Sequence, residues 1–278
     1  MKQTAAKPDP IFTSARKQVR KALKALPAGA TPGDEDIHAI RVCSKKLRAL
    51  LQLYRPGCAK ADIKQVEQRL KRLAASYAGL RDAHVQEKTL ARLITRLPPQ
   101  GQSEIQPLFA HLAAAASKAG HQVAPEDPHQ GFAEILADWQ ANLKLKHRKD
   151  PGKGLDYTYR RARSLALEAH ESGEDEIYHQ CRKWSKYYLY QAQLLCDRKI
   201  AKASIELLKQ LGEQLGQFQD HCVLEDSLQG EAAQVPELST SVTQVLAVLE
   251  EQKQADKEQV RRLFEQLYQQ PHVPLSCK

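Results

Sequence analysis

The chain has 278 residues, with 42 Lys plus Arg against 33 Asp plus Glu, a formal charge of +9 and a pI near 9.2, which favours anionic partners such as nucleic acid, phosphorylated polymers or anionic lipid. Aromatics make up 6% and long β-branched runs are missing, so the composition is that of helical bundles and argues against a sheet fold. Six scattered cysteines without a C-x-x-C pair, a polar N-terminus without the apolar core of a signal peptide, and no run of about 18 apolar residues argue against a secreted or membrane-spanning protein and predict a cytoplasmic one.

Helical periodicity is interrupted by Gly and Pro clusters at residues 27–33, 56–57, 98–101, 120–128, 150–154 and 172–173. These breaks predict nine helices, over roughly residues 9–26, 34–55, 60–96, 102–119, 130–148, 154–172, 174–196, 199–230 and 237–270. Short connections between them imply antiparallel bundles.

An internal repeat organises these elements. Residues 73–90 (LAASYAGLRDAHVQEKTL) lie without gaps beside residues 211–228 (LGEQLGQFQDHCVLEDSL), with Asp82 and Asp220 in register. Upstream, the His38, Arg41, Ser44 and Lys45 spacing returns as His179, Arg182, Ser185 and Lys186. Acidic pairs, Asp34-Glu35 and Asp175-Glu176, precede each histidine at the same interval, where carboxylates suit the positive end of a starting helix. The expected architecture is all-α: two four-helix-bundle repeats, about 9–122 and 129–272, related by a pseudo-two-fold axis and packed as one domain over 1–278.

With His38 at 0° on a helical wheel, Arg41, Lys45 and Arg48 fall at about 300°, 340° and 280°, a stripe about 80° wide. Ile40, Cys43, Leu47, Leu50, Leu51 and Tyr54 take the opposite side. The second copy places His179, Arg182, Lys183 and Lys186 on one arc, with Cys181, Trp184, Tyr188 and Leu195 opposite. The first ladder covers roughly 15 Å of helix axis, long enough to meet successive phosphates of a polymer. Arg supplies a planar fork for phosphate oxygens, Lys a mobile charge, and His a donor that gains charge beside phosphate. A basic stripe on one surface helix is ordinarily a solvated face, but its recurrence at the same register favours a polyanion site.

Other candidates carry less. Asp220-His221-Cys222 has metal-site composition, yet adjacent helical residues point in different directions, which favours a structural role. Ser44 and Ser185 have no acid partner or oxyanion element in the pattern, so neither is read as a nucleophile. No catalytic residues, metal site or cofactor are expected, since there is no phosphate-cradling Gly-rich loop and no acid cluster on the basic face.

Over nearly its whole length the chain resembles the CHAD family, the conserved-histidine α-helical domain. IHAIRVCSKKLRALLQLYRP and the Arg-Asp of GLRDAHV carry the likeness in the first half; YTYRRAR and YHQCRKWSKYYLYQAQLL carry it in the second. The resemblance implies a duplicated four-helix bundle and binding of inorganic polyphosphate in a central basic groove. It implies ligand contacts from His38, Arg41, Lys45, Lys46 and Arg48 in one half and His179, Arg182, Lys183 and Lys186 in the other, supported by Arg81 and Arg163. Lys46 falls near 80° on the wheel, off the main stripe. Tyr187, Leu189 and Gln219 depart from the family's basic pattern, which predicts a weaker second half. The Glu-x-Glu-x-Lys motif of the triphosphate-tunnel domains that accompany this family is missing. The leading expectation is therefore a non-catalytic polyphosphate-binding protein targeted to polyphosphate granules. A nucleic-acid binder and a polyphosphate-processing enzyme are the alternatives.

Overall fold

The computed structural model describes residues 9–274, except 78, 97–98, 120–125, 146, 148–149 and 198. Within its helices, the side chains of 79–85, 99–100, 113, 115–119 and 233 also lie outside the description. The described residues form eleven α-helices and no strand, as composition and periodicity require.

The first helix, α1 (Pro10–Ala22), starts where the Asp9 carboxylate accepts from the Ile11 and Phe12 amides at 2.8 and 3.2 Å, with proline in the first turn. Helix α2 (Asp34–Leu51) opens on three acidic residues and tightens into a 3-10 turn at Gln52–Tyr54. Its buried residues include Ile37, Ile40, Cys43, Leu47 and Leu50, the apolar side of the wheel.

The single helix expected over 60–96 is two, α3 (Lys60–Ala75) and α4 (Gly79–Ile94). At the end of α3 the Ser76 hydroxyl turns back to donate to the Leu73 carbonyl at 2.9 Å. The Tyr77 hydroxyl donates to the Glu126 carbonyl, and the Tyr77 carbonyl accepts from Arg41. These side-chain bonds interrupt a pattern that periodicity alone reads as continuous.

Helices α5 (Pro99–Glu104) and α6 (Gln106–Ala119) take the place of one expected helix over 102–119. Helix α7 (Pro128–Asn142) is capped by Asp127, and by chain order it opens the second half. It nevertheless packs on α1 and α3, where Trp139 meets Tyr54 edge-on at 5.8 Å and the His129 ring bonds the Leu26 carbonyl at 2.8 Å. The boundary predicted over 120–128 falls mostly outside the described residues.

Helix α8 (Asp150–Ser172) begins at Asp150 and runs through Gly154, where a break had been expected. The reason is packing: a Cβ on Gly154 would stand 2.6 Å from the Leu53 Cα and 2.7 Å from its carbonyl oxygen, so glycine lets α8 lie directly on the 3-10 turn after α2.

Helix α9 (Asp175–Leu195) packs against α2, α8 and α10. Helix α10 (Lys202–Gln234) is unbroken across the positions that match the α3–α4 junction, and α11 (Ser239–Leu267) returns along it. The main core joins α1, α2, α3, α7, α8, α9 and parts of α10 and α11 around Leu47, Tyr54, Trp139, Tyr159 and Tyr188. A second cluster, including Leu93, Leu108, Leu112, Leu228 and Val245, joins α4 and α6 to the distal ends of α10 and α11. The consequence for function is that the two ladder helices, α2 and α9, lie directly against each other near the middle of the molecule.

A buried charge network fastens α11 to the start of α9. Lys253 is 5% exposed and contacts Asp175 at 2.7 Å and Glu225 at 2.6 Å, while Lys257 reaches Asp175 at 2.8 Å. Burial alone would push the Asp175 carboxyl up, but the two ammonium groups outweigh it and hold the carboxyl below its ordinary value. His221 pairs with the buried Asp256 at 2.6 Å and Cys222 points to Asp175, so the Asp220-His221-Cys222 run serves helix packing. No disulfide joins the five cysteines among the described residues, and no helix among those residues is long and apolar enough to cross a membrane.

Candidate functional site

The basic side of α2 faces α3. Arg41 Nη1 donates to the Tyr77 carbonyl at 3.1 Å, and Arg48 meets Glu67 at 3.5 Å. His38 and Lys45 are exposed on the same helix. Glu67 also meets Lys71 at 3.7 Å, so one carboxylate serves two cations on this side.

The basic side of α9 faces α10. His179 Nδ1 hydrogen-bonds the Gln219 side chain. Arg182 lies over Gly216 and Lys186 over Gly212: a Cβ built on Gly212 would stand 2.9 Å from Lys186 Cε, and one on Gly216 3.4 Å from Arg182 Nη2. Two glycines four residues apart thus make a flat strip on α10 along which the second ladder's long side chains lie. Sequence reasoning treated neither glycine as part of the site; their i, i+4 spacing inside a helical pattern was the available signal.

Contacts cross between the halves on both sides. Lys183, from the second ladder, is held below its ordinary pKa by burial and then by Arg48, Lys71 and Arg55, with Glu67 opposing. Arg48 lies 5.9 Å from the centre of the Tyr187 ring. Lys46, from the first ladder, sits 5.8 Å from the centre of the Tyr190 ring and is lowered by burial and then by Lys21. With Lys17 and Tyr190 it lines a cleft of about 400 Å³ between α1, α2 and α9. Lys46 therefore leaves the Arg41–Arg48 face, as its place on the wheel required.

Arg182 and Lys186 complete this second cluster. Burial lowers the Arg182 pKa with Asp220 opposing, and the Arg182 Nε is buried with no hydrogen-bond partner. Burial and then Arg182 lower Lys186, with Glu213 opposing. Partly desolvated cations that depress one another are stabilised by any anion that displaces the remaining water.

One of the expected residues is not brought into this arrangement. Arg163 points from α8 toward the end of α11, where its Nε donates to the Tyr268 carbonyl at 2.9 Å, and α8 covers the apolar side of α9. Arg81 is on α4, but its side chain lies outside the described residues. The departures at Tyr187 and Leu189 are explained by burial: these side chains are 3% and 4% exposed and belong to the core. Ser44 donates to the Ile40 carbonyl at 3.0 Å and Ser185 bonds the Tyr268 hydroxyl at 2.8 Å, both buried. Sequence reasoning missed Arg55, Glu67, Lys71 and Tyr190 as neighbours of the ladders. Arg55 was within reach, since it falls seven residues after Arg48 at about 260° on the same wheel.

The family model for the CHAD domain matches residues 12–229. Among solved structures, the CHAD domain from the plant Ricinus communis has a TM-score of 0.67 and 20% identity, covering 97% of this chain and 92% of that one. PptA from Streptomyces chartreusis has a TM-score of 0.61 and 16% identity, covering 94% of this chain and 99% of that one. At these identities the likeness is one of fold. No curated protein matches the chain.

Proposed function

The chain belongs to the CHAD domain family, and from that premise we propose that it binds inorganic polyphosphate, without catalysis, along a basic groove to which both halves contribute. The observation that carries this reading is the mixing of the ladders: Lys183 stands with Arg48, and Lys46 stands with Tyr190 beside Arg182. A ligand that neutralises either cluster touches both halves, which suits a polymer of closely spaced charges better than one small anion. In this reading Arg41, Lys45, Arg48 and Lys183, with His38, would supply one set of ligand contacts, and Arg182, Lys186, Lys46 and His179 the other.

Burial favours phosphate polymer over single-stranded nucleic acid. Trp184 and Tyr187, the rings against which Arg48, Arg55 and Lys183 lie, are 9% and 3% exposed, so they hold these basic side chains from beneath and offer little ring face to a base, while Tyr157 and Tyr190 are half-buried. In the cell the same chemistry would target the protein to polyphosphate granules.

Competition at fixed salt tests the proposal. Long-chain polyphosphate is expected to displace labelled DNA and RNA, and Arg41→Ala with Arg182→Ala is expected to abolish that preference. Tighter binding to DNA, or an unchanged double variant, overturns the reading. Phosphate release from the polymer upon adding divalent cations would overturn its non-catalytic part.

A further inference from the structure

Beyond the end of the first ladder, cations and aromatic rings continue as one connected array. The Tyr187 ring that carries Arg48 meets Trp184 at 5.6 Å, and Lys183 Nζ lies 5.9 Å from the centre of the Trp184 ring. Arg55 stands 6.0 Å from the centre of that same ring and 5.3 Å from the centre of Tyr157, and Tyr157 meets Trp184 edge-on at 5.8 Å. Lys183 and Arg55 are each held against a ring, which fixes their direction, and Arg48 is held by both the Tyr187 ring and Glu67.

The array opens into a cleft of about 650 Å³ between the end of α2 and the first turns of α8. Arg55, Lys60, Lys153 and Arg160 line it against one carboxylate, Asp156. Asp156 is already engaged by Arg160 at 2.9 Å, by the His272 ring at 3.3 Å and by the Val273 amide at 3.2 Å. Lys153 makes a loose contact with Asp150 at 3.9 Å, and Lys60 is exposed. The cleft is therefore positive, of ligand size, and joined to the ladder through Arg55.

We propose that this cleft is a second phosphate subsite in series with the ladder, in which Arg55, Lys60 and Lys153 take the run of a phosphate chain that extends beyond Arg48. The proposal rests on the polyphosphate reading above. It adds a path around the end of α2 and makes affinity depend on chain length. Gly154 is part of the construction, because its missing Cβ is what brings α8, with Lys153 and Tyr157, onto the turn that ends in Arg55.

The test is calorimetric titration of the wild type and of the Lys60→Gln, Lys153→Gln double variant with tripolyphosphate and with long-chain polyphosphate. Both substituted lysines are exposed, so the fold is expected to survive, and Arg55→Gln with a matched melting curve gives an independent second variant. The expected result is a loss of about three- to tenfold in long-chain affinity, as removal of two exposed charge contacts predicts, with tripolyphosphate binding unchanged. Lys60 and Lys153 should also be protected from acetylation by the long chain and not by tripolyphosphate. Unchanged affinity for both ligands overturns the subsite while leaving the ladder reading intact. Equal loss for both overturns the series arrangement. A wild type that binds neither ligand defeats the functional reading itself, and the subsite with it.

Discussion

Replacing Gly154 by alanine sets two physical effects against each other inside one helix. Alanine in a helix interior is favoured over glycine by about 1 kcal/mol, so propensity alone predicts a more stable protein. The new Cβ, however, would stand 2.6 Å from Leu53 Cα and 2.9 Å from its carbonyl carbon, where carbon atoms settle at about 3.5–4.0 Å. Both obstructing atoms are backbone, so α8 must retreat by roughly 1 Å from a turn that it packs against closely. Overpacking of this kind costs about 1–3 kcal/mol, which offsets or exceeds the propensity gain and leaves a net loss of up to about 2 kcal/mol. Gly212 is the control: the atoms that its Cβ would meet are Cε and Nζ of Lys186, the mobile end of a side chain. Gly212→Ala should therefore match or exceed wild-type stability by up to about 1 kcal/mol while displacing Lys186 and weakening polyphosphate binding. Urea midpoints from circular dichroism and one titration per variant decide the matter. A Gly154→Ala protein as stable as Gly212→Ala would refute the close approach of α8 to the turn.

Arg182→Ala should weaken polyphosphate binding and lower its dependence on salt, with a change in log–log slope of about 0.7 per phosphate contact removed; a slope equal to wild type would count against a direct contact. Burial and neighbouring cations hold Lys183 and Lys186 below their ordinary pKa, and a bound polyanion would raise them again. Binding should therefore take up protons at alkaline pH and weaken as pH rises through the depressed values, which titration in two buffers of different ionisation enthalpy will detect. The Asp175 carboxyl is depressed in the folded state, so its contribution is complete above the unfolded value near 3.8 and is lost as pH falls through the folded one. Asp175→Asn should flatten that part of the acid unfolding curve, and an unaltered curve would remove Asp175 from the clamp on Lys253.

Much of the architecture was legible because helical information is local. The apolar period of α2 and α9, their matched acidic starts and the Gly and Pro breaks are properties of short stretches, and the helices follow them within a few residues. Errors arose where long-range contacts took over. Tyr77 divides a periodic segment through its bonds with the Glu126 carbonyl and the Arg41 guanidinium, and Gly154 reads as a breaker although its role is to admit a neighbouring turn. The wheel likewise separated Lys46 from Arg41 and Arg48, but it could not show that Lys46 would face Tyr190 of the other half.

By itself the sequence determined an all-helical chain, a repeated His-x-x-Arg spacing and the angular separation of basic from apolar side chains, because these depend on residues within a few turns of one another. Only the tertiary structure decided which cations share surroundings. Packing α2 on α9 sends Lys183 to Arg48 and Lys46 to Tyr190, lays Arg182 and Lys186 along the α10 glycines, and turns Arg163 away toward α11. Those outcomes depend on helix crossing and on the size of residues distant in the chain, which helical periodicity does not encode.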